Sequence, residues 1–135
     1  MTTEGHAVSE LTKESFAGSI DGHPFTVVDF WAPWCGPCRA FAPVFAAAAS
    51  RHPGILFAKV NTEEEQELAA HFRIRSIPTL MIFRDNIIVF AQAGALSADS
   101  LDQVLAAAKE LDMDAVRQQV ESERATTAPA STAGT

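Results

Sequence analysis

The hydrophobic residues of this chain fall into short apolar runs that alternate with longer stretches of helical periodicity. Such runs are typical of strands in a sheet that is covered on both faces. They predict four strands, at residues 25–31, 55–60, 79–83 and 87–91. Apart from Asp29, residues 25–31 are all β-branched or aromatic, which predicts a central strand. Between the last two strands Asp85 and Asn86 predict a hairpin turn, because asparagine tolerates a positive φ.

Helices are predicted in the intervening segments. They start at Thr12, at Cys35, at residues 62–65 and at Ser97. Thr12 and Ser97 are predicted N-caps, and the Thr-Glu-Glu-Glu sequence at residues 62–65 predicts a capping box. Pro43 removes a hydrogen bond from the helix expected at residues 35–51, so we expect a kink there. One apolar face of the last helix is formed by Leu101, Val104, Leu105, Ala108 and Leu111. Strands that alternate with helices and end in a hairpin imply a mixed sheet between helical layers.

Composition and charge narrow the class of protein. The chain has 135 residues, enough for one domain with its own core. Its net charge of −7 argues against nucleic acid or an anionic membrane as a partner, because both require clustered Lys and Arg. No apolar stretch approaches the roughly 20 residues of a membrane helix, and the first ten residues have no pattern of a secretory signal. We therefore expect a soluble cytoplasmic protein. We also expect it to be a monomer.

The chemistry is concentrated in two cysteines, Cys35 and Cys38, which lie in a Trp-Cys-Gly-Pro-Cys motif after the predicted central strand. At the first position of a helix, Cys35 would face the positive end of the helix dipole, which favours its thiolate. Cys38 would follow one turn later, close to disulfide range. Gly36 allows close approach of a partner's backbone, and Pro37 is tolerated in a first helical turn. The motif predicts a protein that makes and breaks one disulfide.

Two other interpretations of the cysteine pair are weaker. A closed zinc site would need two further ligands, and the four histidines, His6, His23, His52 and His71, show no paired spacing. A structural disulfide across so short a loop would remove little entropy from the unfolded chain. The sequence therefore predicts no metal site.

Asp29 is the second informative residue, since it is a lone carboxylate inside an apolar run that should be covered on both faces. Burial would raise the pKa of its side chain and suit it to exchange protons with Cys38 near neutral pH. The alternative is an aspartate at a strand end whose side chain reaches water. The apolar character of both faces favours the buried position.

With these elements placed, the sequence resembles the thioredoxin family from Val8 to about Leu111. The resemblance is carried by VDFWAPWCGPCR at residues 28–39, together with Pro43, Lys59, Ile77-Pro78-Thr79 and Gly94-Ala95. Similarity to the second bacterial thioredoxin type comes from Phe41-Ala42-Pro43, VNTE at residues 60–63 and IRSIP at residues 74–78. That type often has an N-terminal zinc segment, whereas residues 1–11 contain no cysteine here. The hairpin turn at Asp85-Asn86 also lacks the glycine that is common in the family.

The resemblance implies an α/β thioredoxin fold, with a five-stranded mixed sheet flanked by four helices. It implies a cis proline at Pro78 facing the cysteines, a buried acid at Asp29 and a lysine, Lys59, that tunes this acid. A surface position for Lys59 with no such role remains an alternative. The substrate-binding surface carried over from the family consists of Trp34, Gly36, Pro37, Ile77, Pro78, Gly94 and Ala95.

The function implied by the resemblance is protein disulfide reduction, with Cys35 as nucleophile and Cys38 as resolving cysteine. The oxidised protein would be recycled by an NADPH-dependent thioredoxin reductase, and the chain itself would bind no cofactor. Its partners would be client proteins that contain disulfides. The alternative function is a redox-independent binding or chaperone-like module that uses the apolar patch around Trp34 and Pro78.

The predicted domain covers residues 1–111. Residues 112–135 are expected to be partly helical and then to form a flexible tail from about Ala125, because residues 125–135 have neither charge nor a large apolar side chain.

Overall fold

The computed structural model of the protein describes residues 8–133, and side chains as far as residue 125. Residues 1–7, which include His6 and the start of the predicted domain, and residues 134–135 of the predicted tail lie outside the described part. The strands are β1 (Ser9–Glu10), β2 (Phe25–Trp31), β3 (Leu56–Asn61), β4 (Thr79–Arg84) and β5 (Ile87–Ala93). The helices are α1 (Lys13–Asp21), α2 (Gly36–Arg51), α3 (Gln66–His71), α4 (Ala98–Lys109) and α5 (Met113–Ala133).

The five strands form one mixed sheet in the order β1-β3-β2-β4-β5, so the thioredoxin fold is confirmed. The first three strands in this order pair in parallel, and β4 and β5 are antiparallel to their neighbours. As predicted, β2 is central, and its residues Phe25 to Phe30 are all buried. A short edge strand, β1, was not predicted, because two residues are too few to show a period-2 pattern.

Alternate residues of β2 face two separate cores. Val27 packs with residues of α2 and α4, whereas Val28 packs with residues of α1 and α3. Successive side chains of a strand point to opposite faces, so Asp29 lies on the same face as Val27. The polar side chain of the central strand is therefore directed toward the layer that contains α2 and its cysteine.

The predicted capping box at residues 62–65 is wrong. The side chain of Thr62 donates a hydrogen bond to the carbonyl oxygen of Trp31, at 3.0 Å, instead of capping a helix. The side-chain oxygen of Asn61 accepts from the amides of Glu63 and Glu64, and α3 begins only at Gln66, without a side-chain cap. The carbonyl oxygen of Trp31, which also accepts the backbone amide of Thr62 at 2.8 Å, offered the side chain a partner from another strand. A local motif cannot anticipate such a partner.

The predicted caps of α1 and α4 and the predicted hairpin turn agree with the structure. Thr12 and Ser97 are N-caps, and Asp85 and Asn86 have φ values of 52° and 69°. Helix α2 runs continuously through Pro43. No helix in the described part of the chain has both the length and the hydropathy needed to cross a membrane.

The C-terminal part contains two separate helices. The final helix of the predicted domain ends at Lys109, and a separate helix, α5, begins at Met113. Helical backbone continues to Ala133, past Ala125, where the sequence predicted the start of a flexible tail. The buried side chain of Met113 and an ion pair of 2.7 Å between Arg117 and Asp85 attach the start of α5 to the domain.

Replacing Ser97 by alanine should destabilise the protein by about 1 kcal/mol, because its side chain accepts a hydrogen bond from the amide of Ser100 at the start of α4. Urea unfolding of the two proteins measures this difference. Ser100→Ala is the matched control, since only the backbone of that residue takes part in the cap. Equal stability of the Ser97→Ala variant and the wild type would contradict the role of this cap.

Candidate functional site

Cys35 and Cys38 lie at the junction of β2 and α2 and are joined in a disulfide, with their Cα atoms 5.2 Å apart. Cys35 is the N-cap of α2, whereas the sequence predicted it as the first residue of the helix. Its backbone is extended, with φ −84° and ψ 114°, which leaves Gly36 and Pro37 as the first two helical residues. The sulfur of Cys35 accepts a hydrogen bond from the amide of Cys38 at 3.2 Å. The capping position thus gives this sulfur one of the otherwise unpaired amides of the helix end.

A second segment reaches the disulfide from the start of β4. The Ile77–Pro78 peptide bond is cis, as the family resemblance implied. The carbonyl oxygen of Ile77 lies 3.7 Å from the sulfur of Cys35. The carbonyl oxygen of Pro78 accepts a hydrogen bond of 2.7 Å from the amide of Gly94, at the end of β5. Three segments that are distant in sequence therefore meet beside Cys35.

The surface around the disulfide is exposed and largely apolar. The side chain of Trp34 is 65% exposed, and Gly36, Pro37, Gly94 and Ala95 are also exposed. Both cysteines are buried, and Cys35, at 5%, is slightly more accessible than Cys38, at 2%.

Glu63 holds the indole of Trp34 and was missed as a site residue by the sequence analysis. The indole nitrogen of Trp34 donates a hydrogen bond of 2.9 Å to a carboxylate oxygen of Glu63. The two residues are 29 positions apart, and Glu63 stands in an acidic run that resembled an ordinary solvated turn. No local signal in the sequence could have identified this contact.

Asp29 is buried, with 2% of the residue exposed, so the favoured interpretation of the sequence is confirmed. Its Oδ1 atom has no hydrogen-bond partner in the described part of the chain. Burial raises the pKa of this carboxyl to about 7, although the positive charge of Lys59 acts in the opposite direction. The carboxyl can therefore gain or lose a proton near neutral pH.

Lys59 is the neighbour of Asp29 on β3, where the two residues are paired in the parallel ladder. Its ammonium group lies over the ring of Trp31, 4.5 Å from the ring centroid. A cation in this position is attracted by the π face of the ring. Trp31 thus helps to hold Lys59 beside the aspartate.

A cavity of about 590 Å³ connects Asp29 with Cys38, and both residues line it. Lys59, Trp31 and Pro43 also contribute to its walls. It gives the buried carboxyl a space next to the second cysteine, away from the exposed face at Trp34. Among the described residues, no group of three or more His, Cys, Asp and Glu side chains could hold a metal ion.

Comparisons with known proteins agree with this geometry. The family model described as Thioredoxin matches residues 7–107 of the chain. "Putative thioredoxin 2" of Streptomyces coelicolor is 50% identical over 116 residues, which cover 86% of this chain and 87% of that protein. "Thioredoxin 1" of Nostoc sp. is 44% identical over 101 residues, covering 73% of this chain and 94% of that protein.

Solved structures give the same result. A mutant thioredoxin from Halobacterium salinarum superimposes with a TM-score of 0.73 at 27% identity, covering 82% of this chain and 98% of that one. Thioredoxin of Plasmodium falciparum superimposes with a TM-score of 0.69 at 29% identity, covering 73% and 96% of the two chains.

The raised pKa of Asp29 predicts a specific dependence of stability on pH. Between pH 4 and pH 7 the folded protein keeps a proton on this carboxyl that the unfolded chain has lost, so stability falls as the pH rises through this window. For a shift from 3.8 to about 7, the disulfide form should lose about 2 to 3 kcal/mol of unfolding free energy between pH 5 and pH 8. Asp29→Asn should remove most of this loss, as measured by urea unfolding at the two pH values.

Asp99→Asn is the matched control, because Asp99 is an exposed aspartate in the first turn of α4. This variant should keep the pH dependence of the wild type. If Asp29→Asn kept it as well, the assigned titration of Asp29 would be wrong.

Proposed function

The chain belongs to the thioredoxin family and is a thiol–disulfide oxidoreductase, and we propose that it acts as a reductase of disulfide bonds in partner proteins. One observation carries the proposal. The sulfur of Cys35 caps α2 and accepts the amide of Cys38, on the side of the site where Trp34 and Pro37 are exposed. In the dithiol form the same amide and the positive end of the helix would stabilise a thiolate at Cys35.

The reaction consists of two exchanges. The thiolate of Cys35 attacks one sulfur of the substrate disulfide, so that a bond between protein and substrate forms and the other substrate sulfur leaves as a thiolate. Cys38 then loses its proton and attacks Cys35, which releases the second substrate sulfur as a thiolate. Two electrons pass to the substrate, and the enzyme is left with the Cys35–Cys38 disulfide.

Asp29 is the proposed acceptor of the proton from Cys38. Support comes from the shared cavity, from the unpartnered Oδ1 atom and from the pKa of about 7. A base with a pKa near the working pH combines a useful population of the deprotonated form with enough basicity to take the proton. Lys59 would tune this base, because its charge favours the carboxylate.

Substrate binding is assigned to the exposed surface beside Cys35. The carbonyl of Ile77 would pair with the backbone of an extended substrate segment, while cis-Pro78 keeps an amide donor out of this position. The remaining residues proposed for this surface are Trp34, Gly36, Pro37, Gly94 and Ala95. Contacts of this kind read the backbone and impose little side-chain specificity.

Re-reduction completes the cycle. Thioredoxins are reduced by thioredoxin reductase, and we propose the NADPH-dependent enzyme as the electron donor for this chain. A reducing compartment such as the cytoplasm suits this direction of transfer, because the cysteine pair is there returned to the dithiol.

We propose that residues 1–111 act as the catalytic domain, in a monomer.

A second candidate function is redox-independent binding of client proteins by the same surface. It is favoured by the 65% exposure of Trp34, a large apolar side chain that a partner would bury. A Cys35→Ser/Cys38→Ser double variant separates the two functions. The binding module would keep its biological activity in this variant, and the reductase would lose it.

Replacing Cys38 by serine should trap the reaction at its first stage. The variant should form a mixed disulfide with a reducible protein substrate through Cys35, because no second thiol remains to displace it. Mass spectrometry would detect the adduct, and multiple-turnover reduction should fall by at least about a hundredfold. Cys35→Ser is the control and should form no adduct. Normal turnover by Cys38→Ser would contradict the mechanism.

Replacing Lys59 by methionine should raise the pKa of Asp29, because a nearby positive charge that favours the carboxylate is lost. The pH at which release from the mixed disulfide reaches half its maximal rate should therefore move upward. Stopped-flow measurements of this step between pH 5 and pH 9 test the shift. Lys109→Met, at the exposed end of α4, should leave the profile unchanged. An unshifted profile in Lys59→Met would exclude the tuning role.

A further inference from the structure

Two arginines lie in the segment that leads into the substrate-binding surface. Residues 73–76, the arginine loop, connect α3 to Ile77 and carry Arg73 and Arg75, both exposed. Ile77 contributes the carbonyl that lies 3.7 Å from the sulfur of Cys35. Two residues of extended chain span at most about 7 Å, so the backbone of Arg75 is close to any segment that pairs with Ile77.

Arg73 occupies a backbone position that favours glycine. Its φ is 55°, its amide donates to the carbonyl of Ala70 at 3.0 Å, and the amide of Ile74 donates to that of Ala69 at 2.9 Å. These two bonds define a Schellman ending of α3, with Arg73 at the left-handed position that glycine usually takes. A side chain costs free energy there, so an arginine is present against the preference of the backbone. Outliers of this kind are often found where the side chain has a role in function.

The positive charges of the arginine loop are not neutralised within the described part of the chain, where neither arginine has an ion pair. Three other cations have an ion-pair partner, since Lys13 pairs with Glu67, Arg51 with Asp102 and Arg117 with Asp85. The remaining five have no ion pair in the described part of the chain, and these are Arg39, Lys59, Arg84, Lys109 and Arg124. In the acidic run at residues 63–65, Glu63 accepts the indole N–H of Trp34 and Glu65 accepts the amide of Lys13. In a chain of net charge −7, the loop therefore presents two exposed positive charges that have no ion-pair partner in the described part of the chain.

A groove of about 240 Å³ runs beside the loop, between it and the adjoining ends of β4 and β5. Arg73, Arg75, Ser76 and Gln92 line it, and each of these side chains carries hydrogen-bond donors. A guanidinium group binds carboxylates through paired hydrogen bonds, so this lining is complementary to an acidic side chain.

We propose that the arginine loop selects substrates whose reactive disulfide is flanked by aspartate or glutamate, with the flanking carboxylates bound by Arg73 and Arg75 in this groove. The inference builds on the proposed reductase function and names the class of substrate. Acidic flanks bring the substrate to Cys35 in the orientation in which its backbone meets Ile77, while the two exchanges of the reaction remain the same.

Two synthetic peptides of equal length test the proposal, each with one intramolecular disulfide. One has Asp and Glu on both sides of the disulfide, and the other has Asn and Gln at the same positions. The wild type should reduce the acidic peptide with the higher kcat/KM, by about two- to fivefold for each arginine engaged. The ratio of the two values should approach one in 0.5 M NaCl, because salt screens exposed charges.

Arg73→Gly and Arg75→Gln should each lower this ratio, and the double variant should bring it close to one. Arg73→Gly keeps the test free of folding defects, because glycine suits the left-handed position. Its melting temperature should rise by about 2 to 5 °C. Lys109→Gln is the control, because it makes the same change of charge at a distant position. Lys109 lies beside Arg84, at the end of β4 opposite to Thr79, and the strand between them is roughly 17 Å long. This variant should leave the ratio unchanged.

A wild-type protein that reduced both peptides equally well, or a double variant that kept the preference, would overturn the inference and leave the reductase function intact. An equal loss of preference in Lys109→Gln would likewise overturn it, since the effect would then belong to net charge and not to the loop. Failure of the wild type to reduce either peptide would instead overturn the proposed function.

Discussion

The two-sided burial of the central strand β2 is the constraint on which the rest of the site depends. Hydrogen-bonded neighbours on both sides and helices on both faces leave Asp29 only 2% exposed. The strand ends at Trp31, a few residues before Cys35, so the same rigid element positions the buried acid and leads into the helix that carries the cysteines. The carboxyl of Asp29 and the sulfur-bearing side chain of Cys38 consequently line one cavity, although the two residues belong to different elements.

The burial of Asp29 carries a cost in stability. An ionised carboxylate without a hydrogen-bond partner in an apolar interior is costly, and a similar residue such as asparagine or leucine would avoid the charge altogether. The protein keeps the acid and moderates its cost with Lys59, which is itself held over the ring of Trp31. The result is a carboxyl with a pKa of about 7, which suits the proposed acceptance of a proton from Cys38. Arg73 also carries a local cost in stability, because its left-handed backbone would be more stable with glycine.

Much of the fold could be predicted from the sequence because the signals were local. The apolar run of β2, the caps at Thr12 and Ser97 and the turn at Asp85-Asn86 each depend on a few adjacent residues, and all were predicted correctly. Predictions failed where a distant partner intervened. Thr62 bonds to the end of β2 instead of capping a helix, and the edge strand β1 exists only because β3 lies beside it. The division between α4 and α5 follows in part from Arg84, which donates to the last carbonyls of α4.

For the site, the sequence by itself determined the chemistry: two cysteines one helical turn apart after a buried strand, a lone aspartate inside that strand, and the family to which this combination belongs. These properties follow from residue type and from short spacings along the chain, and both are present before the chain folds. The tertiary structure alone decided which surfaces meet. It placed the carbonyl of Ile77 beside Cys35, bound Glu63 to Trp34, paired Lys59 with Asp29 and left Arg73 and Arg75 without ion-pair partners in the described part of the chain. Contacts of this kind join residues that are far apart in sequence, and they exist only once the sheet has set the relative positions of its strands.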